Sequence, residues 1–153
     1  MNFLKILFLL SLSNVLFAEK VEIVSDSMQA IDTEKKVLFE GHVKLKQDEN
    51  YIHSHKVIVY FNENNETNQY EAVGNVNFKF KQKKSHYKGH ANRVIYYPLT
   101  SKYILMGKAS IDDLINNRHI DGEKIVLDMK SGNASVRGNR KKPVKFIFDM
   151  EKK

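Results

Sequence analysis

The sequence predicts an all-β fold, an elongated and open-ended sandwich or roll of stacked antiparallel strand repeats. Three observations point there. Four glycines, Gly41, Gly74, Gly107 and Gly138, recur at intervals of 33, 33 and 31 residues in similar local text. Apolar and polar residues alternate with period two around them, and polar turns separate the alternating runs. Helical repeats can share such a spacing, but alternation sustained over a dozen residues belongs to a half-buried strand.

The elements follow in chain order. Residues 1–18 have a signal-peptide layout: Lys5 is the only charge before Glu19, Ile6 to Leu12 is mostly apolar, and cleavage is expected after Ala18. The stretch from Ile6 to Ala18 is interrupted by Ser11, Ser13 and Asn14, and it is shorter than the ~20 apolar residues a spanning helix needs. Residues 19–153 then form a single domain. In the first glycine strand Val37, Phe39, Gly41, Val43 and Leu45 share one face; in the second, Tyr70, Ala72, Gly74, Val76, Phe78 and Phe80; in the third, Tyr103, Leu105, Gly107, Ala109 and Ile111. The chain closes with Val144, Phe146 and Phe148 on one parity.

A second repeated segment lies between these strands. Its fourth column is small (Ser25, Ser54, Ala91, Gly122) and its seventh is apolar (Met28, Val57, Val94, Ile125). The inward parity slips by one residue between these columns, so each copy is expected to hold a bulge or corner. Turns are expected at 47–50, 62–66, 98–101 and 130–133, and Asp112-Asp113 also reads as a turn. The repeated glycines fall on the inward parity. They are read as matching mid-strand corners, with room for a ligand as a consequence.

Composition narrows the function classes. The chain carries a formal net charge of +7, and without Lys5 it has 24 basic against 18 acidic residues. A basic exported chain favours anionic lipid or glycan over nucleic acid. There is no cysteine, so no disulfide contributes. No nucleophile elbow, phosphate loop or catalytic carboxylate pair is present, so an enzyme and a cofactor are not expected. His53 and His55 stand two apart and His90 shares a repeat column with His53, but no third ligand with metal-site spacing accompanies them, so no metal is expected. Asn65 in Asn65-Glu66-Thr67 is a candidate glycosylation site with an acid, Glu63, two residues before it, whereas Asn133 lacks one.

The motifs resemble those of the OstA-like domain family of lipopolysaccharide-transport proteins, which includes LptA, LptC and the periplasmic part of LptD. The resemblance spans Val21 to about Asp149. It rests on the opening Val21-Glu-Ile-Val24-Ser-Asp-Ser-Met28, on Phe39-Glu-Gly-His-Val43 and, most closely, on Tyr70-Glu-Ala-Val-Gly74-Asn-Val76. It implies a twisted β-jellyroll with an apolar interior, located in the periplasm, that passes lipopolysaccharide from the inner to the outer membrane. The length and the cleavable leader fit the LptA branch; an uncleaved leader would fit LptC.

Exposed acyl chains cost about 0.8 kcal/mol per CH₂, so a carrier must cover them. An apolar trough lined by Phe39, Val43, Leu45, Ala72, Val76, Phe78, Leu105, Ile111, Val136 and Phe146 is the candidate lipid-binding surface. The competing reading of these residues is an ordinary core. Lys44, Lys79, Lys108 and Arg137 are expected near the rim, facing the lipid phosphates. The open ends of the stack are candidate pairing edges: Val21, Ile23 and Val24 at one end, and Val144, Phe146 and Phe148 at the other. By resemblance the first edge meets an LptC-like partner and the second an LptD-like one, with head-to-tail self-association also open. A different class of function, an adhesive β-solenoid binding anionic glycan on its outer face, fits the same charge.

Overall fold

The structure is a computed structural model that describes residues 21–82 and 85–150. The expected leader lies outside the described residues. Ten strands form one antiparallel sheet: β1 (Glu22–Val24), β2 (Ser27–Ile31), β3 (Lys36–Gln47), β4 (Asn50–Phe61), β5 (Thr67–Gln82), β6 (Ser85–Tyr97), β7 (Lys102–Asp113), β8 (Arg118–Asp128), β9 (Asn133–Arg137) and β10 (Lys145–Phe148). The order is β1-β3-β4-β5-β6-β7-β8-β10, with β2 beside β3 and β9 beside β8. A single 3-10 turn, Asp32–Glu34, joins β2 to β3.

The six long strands bend at mid-length, where the ladder skips. The register breaks between Glu40 and Val43 in β3, Val73 and Val76 in β5, and Met106 and Ala109 in β7. At each break a glycine and its successor both take positive φ: Gly41 at 87° and His42 at 48°, Gly74 at 90° and Asn75 at 48°, Gly107 at 79° and Lys108 at 48°. Glycine adopts that conformation without a Cβ penalty, which is why it recurs. In the ladders β3–β4, β5–β6 and β7–β8 the partner strand leaves one residue unpaired at the same height, His55 in β4, Asn92 in β6 and Glu123 in β8. This is the predicted one-residue slip between the small and apolar columns.

The corners fold the sheet into two half-sheets. The lower half contains β1, β10 and the segments 43–47, 50–54, 76–82, 85–91, 109–113 and 118–122; the upper half contains β2, β9 and the remaining segments. Their inner faces meet: the ring of Phe80, from the lower half, lies 6.0 Å from that of Tyr103, from the upper half, edge to face. Val37, Val43, Val59, Val76, Leu105 and Ile125 are fully buried between the two halves. Each burial of this kind contributes ~1.5–3 kcal/mol.

Three expectations are corrected. The corner glycines do not point inward. A Cβ on Gly74 would stand 2.8 Å from the Cβ of His55, and one on Gly107 would stand 2.6 Å from Asn92 Nδ2, both on exposed corner residues. Alternation counts straight through these positions, but positive φ redirects the Cβ vector. Gly138 is not a fourth corner. It follows the end of β9, and a Cβ there would meet the backbone of the 142–144 turn at 2.6 Å. Asp113 is not in a turn: it ends β7 with its side chain buried.

Candidate functional site

The inner face reads as rows across the sheet. One row in the lower half runs Ile23, Leu45, Ile52, Phe78, Gly89, Ile111, Ile120, Phe146, each paired with the next. A second row, in the upper half, runs Met28, Phe39, Val57, Ala72, Val94, Leu105, Ile125, Val136. Every expected lipid-facing residue lies on this face; Val43 and Val76 sit just beside the corners. Gly89 has a reason of its own, because the ring of Phe78 covers it where a Cβ would stand.

Accessibility separates these residues. Phe39, Val43, Ala72, Val76, Phe78, Leu105 and Ile111 are buried in one cluster, with Leu45 beyond them and Val136 packed against them, both half-buried. Phe146 is 52% exposed and Phe148 56%, their rings 5.1 Å apart. The middle of the inner face is thus packed against the opposite half-sheet, and its C-terminal end is open.

The rim carries residues absent from the sequence-derived set. Tyr70, Tyr96 and Tyr103 occupy one row and stack, with centroids at 6.0 and 4.3 Å. Burial raises the Tyr103 hydroxyl above its ordinary value, and burial likewise raises Tyr70. The stacked rings thus extend the core toward the rim. Their parity was readable; their stacking depended on register.

Among the described residues Asp113 is the one buried acid on the inner face. It accepts from Asn116 N at 3.1 Å, Asn116 Nδ2 at 2.9 Å and Arg118 Nη2 at 2.7 Å. Burial alone would raise its pKa, but the hydrogen bonds from Asn116 and Arg118 outweigh burial and hold it at about 2. On the outer face His119 bridges Asp112 at 2.5 Å and Asp121 at 2.8 Å, and the hydrogen bond to Asp112 chiefly raises its pKa.

The expected rim cations sit elsewhere. Lys44 and Lys79 lie on the outer face of the lower half-sheet, Lys108 is a corner residue and Arg137 ends β9 opposite Lys124. Each end of the sheet holds two short strands: β1 and β2, both paired with β3, at one end, and β9 and β10, both paired with β8, at the other. Ile23 faces inward and Val24 outward; Val21 and Val144 flank the strands. Asn65 takes φ 62° in the β4–β5 turn and accepts from Lys35 Nζ at 3.3 Å. His53 lies against Tyr51, ring centroids 4.6 Å apart, and His55 is the corner residue facing Gly74. Among the described residues no cluster of His, Cys, Asp or Glu could hold a metal ion.

Residues 22–133 match the family model described as the LptA/(LptD N-terminal domain) LPS transport protein. The chain belongs to this family. The match takes in the N-terminal edge, all three glycine corners and the whole of β3–β8. LptH of Pseudomonas aeruginosa, described as the LptA-homologous periplasmic component of the lipopolysaccharide transport device, has a similar structure. Its TM-score is 0.73 at 16% identity, over 86% of this chain and 96% of that one. At that identity the likeness establishes the fold, the LptA jellyroll. No curated protein sequence matches the chain.

Proposed function

We propose that this family member is a periplasmic, non-catalytic carrier that covers lipopolysaccharide acyl chains between its two half-sheets and hands them toward the outer membrane. The observation that carries this reading is the unbroken apolar row from Ile23 to Phe146, which crosses eight strands and leaves its last aromatic half exposed. Acyl chains entering at the C-terminal end or the rim would replace contacts between the half-sheets, such as Phe80 on Tyr103. Apolar surface would stay covered throughout, so the exchange costs little hydrophobic free energy.

The edges supply the handover. β1 with β2, and β9 with β10, each have an unpaired flank on which an LptC-like or LptD-like sheet, or a second copy, can add strands. Family membership and the resemblance favour the N-terminal edge for the LptC-like partner and the C-terminal edge for the LptD-like one. Residues 1–18 are read as the export leader.

The test is co-purification. Residues 19–153 expressed in a lipopolysaccharide-producing cell should carry the lipid, and Leu105→Asp should reduce the amount bound. Lipid retained undiminished by a folded Leu105→Asp protein would count against the inner face as the site.

A further inference from the structure

The outer face of the lower half-sheet is strongly basic over strands β3 to β6, between Glu22 on β1 and Asp112 on β7. Strands β3 to β6 present ten outward positions there. Five are lysine (Lys44, Lys46, Lys79, Lys81 and Lys88), three are histidine, and none is Asp or Glu. On the outer face of the upper half the same strands mix Lys36, Lys56 and Arg93 with Glu40, Glu71 and apolar residues. The charges of the lower face are contiguous. Lys46 pairs with Tyr51, Tyr51 with Lys79, and Lys79 with Lys88.

Two features set this apart from an ordinary solvated face. Lys79 and Lys88 are directly opposed across neighbouring strands, a like-charge pairing that is destabilising; the acids of that row stand at its two ends, Glu22 opposite Lys46 and Asp112 opposite Lys88, and Asp112 is engaged by His119. Among the described residues Lys44, Lys46, Lys79 and Lys88 have no ion-pair partner; Lys81 reaches Glu49 at 3.5 Å. Beside them opens a cleft of about 600 Å³, walled by Lys44, Lys46, Tyr51, His53 and Lys79. Glu22, Asp48 and Glu49 close its outer margin with hydrogen-bond acceptors.

We infer that this face binds an anionic glycan, a saccharide chain bearing phosphate or carboxylate groups. The lysine row supplies the counter-charge, the Tyr51 ring a surface for a sugar ring, and the marginal carboxylates accept from sugar hydroxyls. A bilayer surface fits less well, because the ten positions include no aliphatic side chain to insert and the cleft offers only Val24. The glycan is either the sugar portion of the carried lipid or a separate polymer. The inference stands on the outer face and does not require acyl chains inside.

Binding of two lipid-free probes separates the sources: fully deacylated lipopolysaccharide, which keeps its phosphates, and polygalacturonate, which is unrelated to the lipid. Both should bind with salt-sensitive affinity if the face is general; only the first should bind if it is a headgroup site. K44E/K79E should weaken whichever binds by about tenfold or more at low salt. The same charge change on the other outer face, K56E/K124E, should not. Lys79→Glu alone should raise the melting temperature at low ionic strength, because the introduced carboxylate would then face Lys88. The inference is overturned if neither probe binds, if both double variants weaken binding equally, or if only anionic phosphatidylglycerol vesicles bind. A Leu105→Asp protein that loses lipid but keeps polygalacturonate would show that the two faces act separately.

Discussion

Phe78 and Phe146 lie in the same row of the sheet and face the same way, yet the first is 7% exposed and the second 52%. The residue type and the strand parity are identical. Phe78 has paired strands on both sides and the opposite half-sheet above it; Phe146 is on β10, which has β8 on one side and, among the described residues, no strand on the other. This inner face is continuous but unfinished. Its middle is a core, and its C-terminal end is the same surface without its cover.

The sharpest way to break the comparison is at the middle. Phe78→Ala should destabilise the fold by ~3–5 kcal/mol, because it empties a packed site and uncovers Gly89. Denaturant unfolding would show this, and a loss below ~1 kcal/mol would mean that the middle is not a packed core. Next in size, Gly74→Val should cost about 2 kcal/mol or more. A β-branched residue at φ 90° is strained, and its Cβ meets His55.

The Asp113 cap comes next. Its folded pKa of about 2 lies below the ordinary 3.8, so its contribution is fully present above pH ~4 and is lost as pH falls through about 2. Asp113→Asn should lower stability at neutral pH by ~1–3 kcal/mol and flatten the acid limb of the stability curve; an unchanged limb would remove the cap from the account. The smallest effect is expected at the end. Phe146→Ala should change stability by ~0.5 kcal/mol or less. It should still weaken strand addition at the C-terminal edge, measured as self-association or capture of an LptD-like N-terminal domain.

Much of this was legible in the residues. Alternation around Gly41, Gly74 and Gly107 placed Phe39, Phe78 and Leu105 on the inner face, and the small and apolar columns located the slips at His55, Asn92 and Glu123. What escaped has physical causes. The side on which Gly74 lies depends on φ, which alternation does not record. Gly138 shares the text of the other corners, but among the described residues no strand lies beyond β9, and the chain detours through 138–144 before β10 rejoins β8. Asp113 reads as a turn residue by type, and only its closeness to Asn116 and Arg118 makes an inward carboxylate tolerable. The Tyr70–Tyr96–Tyr103 stack and the lysine face arise from cross-strand register, which places side by side residues far apart in the chain.

The central claim is that acyl chains lie between the half-sheets. Lipopolysaccharide carrying a photoactivatable group on an acyl chain, loaded onto residues 19–153 and irradiated, tests it directly. Labelling should fall on inward residues such as Phe78, Leu105, Tyr103 and Phe146. Labelling confined to outward residues such as Glu71, Lys79 or Lys88 would contradict it.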